Sequence, residues 1–215
     1  EHGLDKEVVT LVTQVAVDKD DPAFKDPSKR VGKIYTREEA DKLKAEKGWE
    51  FRESPKRKDG WRRVVPSPAP KKVINQRVVE TLARQGNIVI AGGGGGVPVW
   101  FDEKGDIRPS EAVIDKDRAS SLLAQGIHAD EFYILTDVPY VYKDFGKETE
   151  ERIDWMDSND ARKYLAEGVF GEGNMSPKIE ACLDFVEKGG AKAAVTEATK
   201  LEDRSFGTRI TKDYY

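Results

Sequence analysis

From residue 71 onward, helix-like and strand-like patterns alternate along the chain, and this alternation constrains the fold more than any other feature. Helical spacing of apolar residues predicts helices over 73–85, 117–125, 160–167 and 179–188. Short apolar runs predict strands over 87–91, 131–137, 191–196 and 207–211, and a hairpin over 97–107. Strands joined through helices run parallel. We therefore expect an α/β fold, a three-layer α/β/α sandwich with a mostly parallel open sheet.

The part before residue 71 divides into two unlike stretches. Residues 8–17 are nearly all β-branched or apolar, which predicts one strand covered on both faces. Residues 18–70 are polar, proline-rich and basic, with scattered aromatic residues, and we interpret them as an insert with its own small structure. Within this insert, Thr36 and Glu39 predict a capping box at the start of a helix that ends at Gly48.

The charges of the chain are unevenly distributed. Residues 18–72 contain 17 Lys and Arg against 11 Asp and Glu, a net charge of +6, so the rest of the chain carries −10 of the total of −4. A basic segment in an acidic protein favours an anionic ligand, either a nucleic acid or a phosphate. A solvated basic face would give the same pattern.

Composition excludes several classes of protein. A single cysteine, Cys182, excludes an intramolecular disulfide and the usual cysteine-rich zinc clusters. The two histidines, His2 and His128, have no local signature of a Ser–His or Cys–His pair. No apolar run approaches the roughly 20 residues of a membrane helix, and the first residues are too polar for a secretory signal. These observations favour a cytoplasmic protein.

Five glycines follow the predicted strand at 87–91. The run consists of Gly92, Gly93, Gly94, Gly95 and Gly96. It matches neither the Walker loop nor the G-x-G-x-x-G fingerprint. Without Cβ atoms, such a run lets the backbone approach a ligand closely, and its N–H groups can bind an anion. A flexible linker is the alternative, although the apolar residues on both sides argue against it.

Two lysine motifs occur where helices are predicted to begin. Lys116 stands between Asp115 and Asp117, and Lys178 follows Ser176 and Pro177, which suit an N-cap and a first helical position. Lysines at helix N-termini can bind a phosphate together with the helix dipole. Equally, Asp115 or Asp117 simply caps the helix, and both lysines point into solvent.

Polar and aromatic residues also follow the predicted strand 131–137. Thr136, Asp137 and Val138 lie at its end, and Tyr140, Tyr142 and Phe145 come shortly after. Ligands of open α/β sheets bind beyond the carboxyl ends of strands, so this group could hold a nucleotide base and ribose. Turn residues with packed aromatic side chains are the alternative.

Taken together, the motifs of the chain resemble those of the carbamate kinases, a branch of the amino acid kinase family. The matching strings, in order, are VTQVAVDKDDPAF, PSKRVG, GWRRVVPSP, GGGGVPV, EAVIDKDRASSLLA, ILTDVPYVY, EGVFGEGNMSPKIEA and GTRI. The resemblance implies that residues 1–215 are the C-terminal, nucleotide-binding portion of an amino acid kinase domain and that residues 18–70 are its protruding lid.

The resemblance also implies an activity, reversible phosphoryl transfer between ATP and carbamate that gives ADP and carbamoyl phosphate. Mg²⁺ would accompany the nucleotide, and the intact enzyme would be a homodimer without nucleic-acid or membrane partners. The implied catalytic residues are Lys29, Lys116, Asp117 and Lys178. The implied nucleotide contacts are Thr136, Asp137, Val138, Tyr142, Met175, Pro177 and Lys178. Gly92, Gly93, Gly94, Gly95 and Arg62 would contact the substrate or phosphoryl group.

Some features depart from the carbamate kinase pattern. Ser28-Lys29-Arg30 stands where Thr-Lys-Pro is common, and Asn174 stands where serine or glycine is common. The Gly-Gly-Asn-Ala loop and the His-Gly-Asn-Gly-Pro-Gln segment of the N-terminal third do not occur in the 215 residues. We therefore expect this chain alone to be inactive. The alternative is a nucleotide-binding fragment of another amino acid kinase, without catalysis.

Overall fold

The structure, a computed structural model, describes residues 3, 5–54, 57–170 and 175–213. His2 and Asn174 lie outside the described residues. The helices are α1 (Arg37–Lys47), α2 (Gln76–Arg84), α3 (Lys116–Gly126), α4 (Ser158–Ala166) and α5 (Met175–Glu187). The strands up to α3 are β1 (Val8–Thr10), β2 (Gln14–Val17), β3 (Lys29–Tyr35), β4 (Glu50–Glu53), β5 (Trp61–Val65), β6 (Pro70–Val73), β7 (Ile88–Ile90), β8 (Val97–Phe101) and β9 (Ile107–Pro109). The later strands are β10 (Glu131–Thr136), β11 (Val141–Lys143), β12 (Glu151–Ile153), β13 (Trp155–Met156), β14 (Lys192–Glu197) and β15 (Thr208–Ile210).

One half of the fold is built on the sheet β10-β14-β15-β13. Strands β10 and β14 run parallel, as do β13 and β15, whereas β14 and β15 run antiparallel. Helix α5 packs on this sheet with a mainly apolar buried face, including Ile179, Phe185 and Val186. The core therefore lies between the sheet and α5, and it fixes where the first turn of α5 begins.

The other half contains the sheet β6-β2-β8-β9 and the parallel pair β1-β7. Strand β2 pairs parallel with β8 and antiparallel with β6. Val15, Val73, Ile114 and Ala119 form a second buried cluster between this sheet and α3. The expected α/β architecture is confirmed, and its sheets are mixed because β6 runs against β2, β9 against β8 and β15 against β14.

Between β2 and β6 the chain folds as a separate small unit. Its sheet has the order β3-β5-β4, with both pairings antiparallel, and α1 contacts β4 and β5. The capping box predicted for α1 is confirmed. Thr36 Oγ1 accepts from the Glu39 N–H, the Glu39 carboxylate accepts from the Thr36 N–H, and Gly48 ends the helix in the left-handed region. We refer to residues 18–70 below as the lid segment.

The strand expected over 8–17 is wrong as a single element. The chain pairs with β7 through β1 and then with β8 through β2, and residues 11–13 bridge the two pairings. The Leu11 N–H donates to the Ile90 carbonyl, whereas the Thr13 carbonyl accepts from the Val97 N–H. Val12, between them, has 79% of its surface exposed. The apolar run is therefore divided by a change of partner.

Two predicted helix starts are also corrected. The helix expected from residue 73 begins only at Gln76, because 70–73 form β6 beside β2. The helix expected from 179 begins at Met175, so Ser176 lies inside the helix and is not its N-cap. Pro177 fits there because the first helical turn does not use its N–H groups for intrahelical bonds. In the described ranges, no helix is both long and apolar enough to span a membrane.

Candidate functional site

The N-terminus of α3 carries the central group of the candidate site. Asp115 is the N-cap, and its Oδ1 accepts from the N–H groups of Asp117 at 3.0 Å and Arg118 at 3.3 Å. Of the two interpretations of the Asp-Lys-Asp motif, capping is thus correct for Asp115. The first turn of α3 still offers a partial positive charge to an anion, since its N–H groups point out of the helix end.

A lysine of the lid segment reaches the same carboxylate. Lys29 Nζ lies 2.8 Å from Asp115 Oδ2, although the two residues are 86 positions apart. Burial acts to raise the pKa of the Asp115 carboxyl, but the hydrogen bond and positive charge of Lys29 outweigh it, so the pKa lies below its usual value. Asp115 is therefore ionised at neutral pH and holds the lysine electrostatically.

A second lysine–carboxylate pair lies next to the first. Lys178 Nζ, in the first turn of α5, lies 2.9 Å from Asp117 Oδ2, and both side chains are nearly buried, at 10% and 13% exposure. The pairing depends on the packing of α3 against α5, where the buried Ser121 hydroxyl donates to the Ala181 carbonyl. We call Lys29, Asp115, Asp117 and Lys178 the α3 cluster.

The thiol of Cys182 lies one helical turn after Lys178 and is fully buried. Burial raises its pKa strongly, the negative charge of Asp117 adds to this effect, and the positive charge of Lys178 opposes it. The thiol is therefore neutral at physiological pH and is a poor nucleophile. It supports the Lys178 turn through packing.

The glycine run, residues 92–96, forms the loop expected of it and lies directly against the residue before Asp115. A Cβ on Gly95 would lie 2.3 Å from the Ile114 carbonyl oxygen, and the φ of Gly95 is +131°. Gly92 donates its N–H to Thr13 Oγ1, and Gly95 donates to the Gly92 carbonyl, so part of the loop's hydrogen-bonding capacity is used internally. A cleft of about 380 Å³ lies beside Gly92, Gly93 and Gly94.

An aromatic cavity of about 230 Å³ opens between the end of β10 and the start of α5. Its lining contains six of the residues predicted to contact a nucleotide: Thr136, Asp137, Val138, Tyr142, Met175 and Lys178. Tyr140, Phe145 and Phe170 complete it. Lys178 thus belongs both to this cavity and to the α3 cluster. The cavity therefore reaches the residue that pairs with Asp117 at the start of α3.

Three predicted residues lie apart from these contacts. Pro177 is in the first turn of α5 but is not among the residues that line the aromatic cavity. Lys116 is exposed at the first position of α3. Arg62 lies in β5, where its Nη2 donates to the Gly32 carbonyl inside the lid segment at 2.9 Å. The roles implied for these residues remain predictions.

Sequence reasoning missed Phe170 and the second function of Asp115. Phe170 follows α4, far along the chain from the strand end whose cavity it completes, and it was given no role although it lies in the matching string EGVFGEGNMSPKIEA. Asp115 was predicted as a possible cap, but its ion pair with Lys29 depends on how the lid segment returns to the body of the fold. Both features come from contacts between distant parts of the chain.

Comparison with known proteins shows the family of the chain. A model of the amino acid kinase family matches residues 30–197. The chain belongs to the amino acid kinase family. Its sequence is 46% identical to a carbamate kinase of Thermoplasma volcanium over 91% of the chain, and 45% identical to one of Thermococcus kodakarensis over 99%. The resemblance to the carbamate kinase branch of the amino acid kinase family is thereby confirmed.

Solved structures in the same branch of the amino acid kinase family agree with the fold. A carbamate kinase from Giardia lamblia bound to AMP-PNP superimposes with a TM-score of 0.84 at 37% identity, over 97% of this chain and 66% of that one. The chain spans 62% of the Thermoplasma protein and 67% of the Thermococcus protein. The relatives are thus about half as long again as this chain.

Proposed function

We propose that the chain is the nucleotide-binding part of a carbamate kinase, which transfers a phosphoryl group between ATP and carbamate to give ADP and carbamoyl phosphate. One observation carries this proposal. Lys178 lines the aromatic cavity and also forms an ion pair with Asp117 at the start of α3. A nucleotide base in the cavity would direct its phosphates toward Lys178. The names of the relatives and the AMP-PNP held by the Giardia enzyme support this assignment.

Phosphoryl transfer requires positioning and positive charge rather than a covalent nucleophile. Lys178 would neutralise the oxygens of the transferring group, and the N–H groups at the start of α3 would stabilise the same charge. Lys29 would bring a further positive charge from the lid segment, and Lys116 is exposed beside it. The glycine loop would let the substrate approach the backbone. Asp117 would orient Lys178 through their 2.9 Å ion pair.

Mg²⁺ is expected to accompany the nucleotide. In the described part of the chain, no group of three or more Asp, Glu, His or Cys is arranged to hold a metal. Beside phosphate oxygens, Mg²⁺ commonly takes only one or two protein carboxylates. Asp137, which lines the aromatic cavity, would supply one such carboxylate. The ion would neutralise charge on the phosphates.

The alternative function is nucleotide binding without turnover by the 215 residues. It is consistent with the share of the relatives that the chain spans, 62% of the Thermoplasma protein and 67% of the Thermococcus protein. The two functions share the aromatic cavity and the α3 cluster. They differ in whether the phosphoryl group of the bound nucleotide is transferred to an acceptor.

Calorimetric titration with ADP, followed by an assay of ATP formation from ADP and carbamoyl phosphate, tests both functions. ADP binding with ATP formation would establish carbamate kinase activity in this chain. ADP binding without ATP formation would leave nucleotide binding as the function of these residues. A chain that binds neither ADP nor ATP, while folded by circular dichroism, would contradict both functions. Adenosine serves as a control, because it fills the base pocket without reaching the lysines.

A further inference from the structure

The carboxylate of Asp115 uses its two oxygens for different partners. Oδ1 accepts from the first-turn N–H groups of Asp117 and Arg118 and so caps α3. Oδ2 lies 2.8 Å from the ammonium group of Lys29. Capping requires one oxygen acceptor and no charge, as asparagine and serine cap helices about as well as aspartate. The negative charge and the second oxygen of Asp115 therefore act on Lys29.

Lys29 lies at the base of the lid segment. It is the first residue of β3 and pairs with Val65, the last residue of β5. The next residue, Pro66, accepts from the N–H of Val113, just before the α3 cluster. At its base the lid segment thus contacts the body of the fold through the Pro66 backbone and the Lys29 side chain. Farther along it, Phe24 packs against the second buried cluster.

The ion pair, rather than packing, fixes the ammonium group of Lys29. The Lys29 side chain is 38% exposed, whereas that of Asp115 is 19% exposed. A lysine at this exposure has a flexible four-carbon stem and loses rotamer freedom when it is held in one place. Asp115 has little freedom of its own, because Oδ1 is bound to the helix. It is the fixed partner of the pair.

We propose that Asp115 is a positioning residue, which ties the ammonium group of Lys29 to the first turn of α3 and so sets the base of the lid segment against the Asp117–Lys178 pair. The role of Lys29 toward a phosphoryl group rests on the proposed function. The ion pair between Asp115 and Lys29 is present in the ligand-free chain. It can therefore be measured without nucleotide or turnover.

The chain contains a matched control for the capping role. Asp157 caps α4 as Asp115 caps α3, with Oδ1 accepting from the N–H groups of Asn159 and Asp160 at 2.8 Å each. Among the residues that the structure describes, no lysine or arginine pairs with Asp157. Asp157→Asn therefore removes the charge of a capping residue without breaking an ion pair to the lid segment.

Hydrogen exchange measured by mass spectrometry on the ligand-free chain tests the proposal. The variants are Asp115→Asn, Lys29→Met, Lys29→Arg and Asp157→Asn. Loss of a partly exposed ion pair should speed exchange at the base of the lid segment, in peptides covering residues 27–35, by about two- to fivefold. We expect this for Asp115→Asn and Lys29→Met, whereas Lys29→Arg, which keeps the charge, should retain the wild-type rate. Combining Asp115→Asn with Lys29→Met should add nothing further.

Two results would overturn the proposal. One is unchanged exchange at the lid base in Asp115→Asn. The other is an equal increase of the exchange rate in Asp115→Asn over residues 116–126 and at the lid base. That result would mean that Asp115 acts only as a cap. Asp157→Asn should leave the lid base as in the wild type. Titration of the wild type with ADP separates this proposal from the proposed function, because failure to bind ADP contradicts only the latter.

Discussion

Lys178 occupies a position where a lysine is costly. It lies in the first turn of α5, where the helix dipole disfavours a cation, and its side chain is only 10% exposed. The Asp117 carboxylate, with Oδ2 2.9 Å from Lys178 Nζ, compensates the positive charge of the lysine. The pair holds that charge at a fixed place beside the aromatic cavity. An arrangement of this kind is typical of a residue retained for its charge rather than for stability.

Replacing Lys178 with methionine tests this interpretation. The substitution keeps the stem but leaves Asp117 nearly buried and unpaired, so the free energy of unfolding should fall by about 3 kcal/mol. ADP affinity should fall about tenfold, because one charge-assisted contact is lost. Urea unfolding and calorimetric titration measure the two effects.

Lys188→Met is the matched control, since Lys188 pairs with Asp184 at 2.8 Å on an exposed surface. Neither stability nor ADP affinity should change measurably there. Equal ADP affinities of the wild type and Lys178→Met would remove Lys178 from the nucleotide site.

Cys182 gives a second prediction about a single residue. Because burial raises the pKa of its thiol, and because no reagent reaches it in the folded state, Ellman's reagent should modify it far more slowly in the native chain than in guanidinium. Adding ADP should slow the reaction further if modification proceeds through opening of α5. Rapid modification of the native chain would show that the Lys178 turn opens readily.

Among the elements, the glycine loop has a strict steric requirement at Gly95. Gly95→Ala would place a Cβ 2.3 Å from the Ile114 carbonyl oxygen at a φ of +131°, and should lower the free energy of unfolding by about 3 kcal/mol. Because Ile114 directly precedes Asp115, ADP binding should weaken as well. Thermal unfolding with and without ADP measures both effects.

Gly94→Ala is the control for the loop. A Cβ on Gly94 would meet nothing within 4 Å, so this substitution should be tolerated with little change in stability. If the two variants had the same stability, the close approach of the loop to Ile114 would not be a feature of the folded chain.

Elements with local signals could be predicted from the sequence, and those that depend on distant partners could not. Helix α1 is set by Thr36 and Glu39 within a single turn, and its start and end were predicted correctly. The break at residues 11–13 has no local signal, because it reflects a change from one partner strand to another. Likewise, Asp117 and Lys178 could each be singled out by motif, but their contact across 61 positions required the packing of α3 on α5.

For the whole molecule, the uneven charge predicts how an anionic ligand arrives. Residues 18–72 carry a net +6 in a chain of net −4, and this segment supplies Lys29 to the α3 cluster. Electrostatic steering should therefore raise the association rate of ADP at low salt. In stopped-flow measurements the ADP rate should fall as ionic strength rises from about 10 to 150 mM, as the Debye length shortens. Adenosine, which is uncharged, should show no such dependence, and a salt-independent ADP rate would argue against steering.

The pairing of β2 with β6 also bears on how such a protein could have arisen. The lid segment leaves the body of the fold after β2 and returns through β6, its direct antiparallel neighbour, with Val15 opposite Val73. Neighbouring antiparallel strands lie about 5 Å apart and can be joined by a turn of two residues. An ancestral sheet could therefore have acquired, exchanged or lost the whole segment by insertion at one hairpin, without any change in strand order. Such an insertion would leave the body of the fold unchanged, apart from the contacts that the lid segment makes with it.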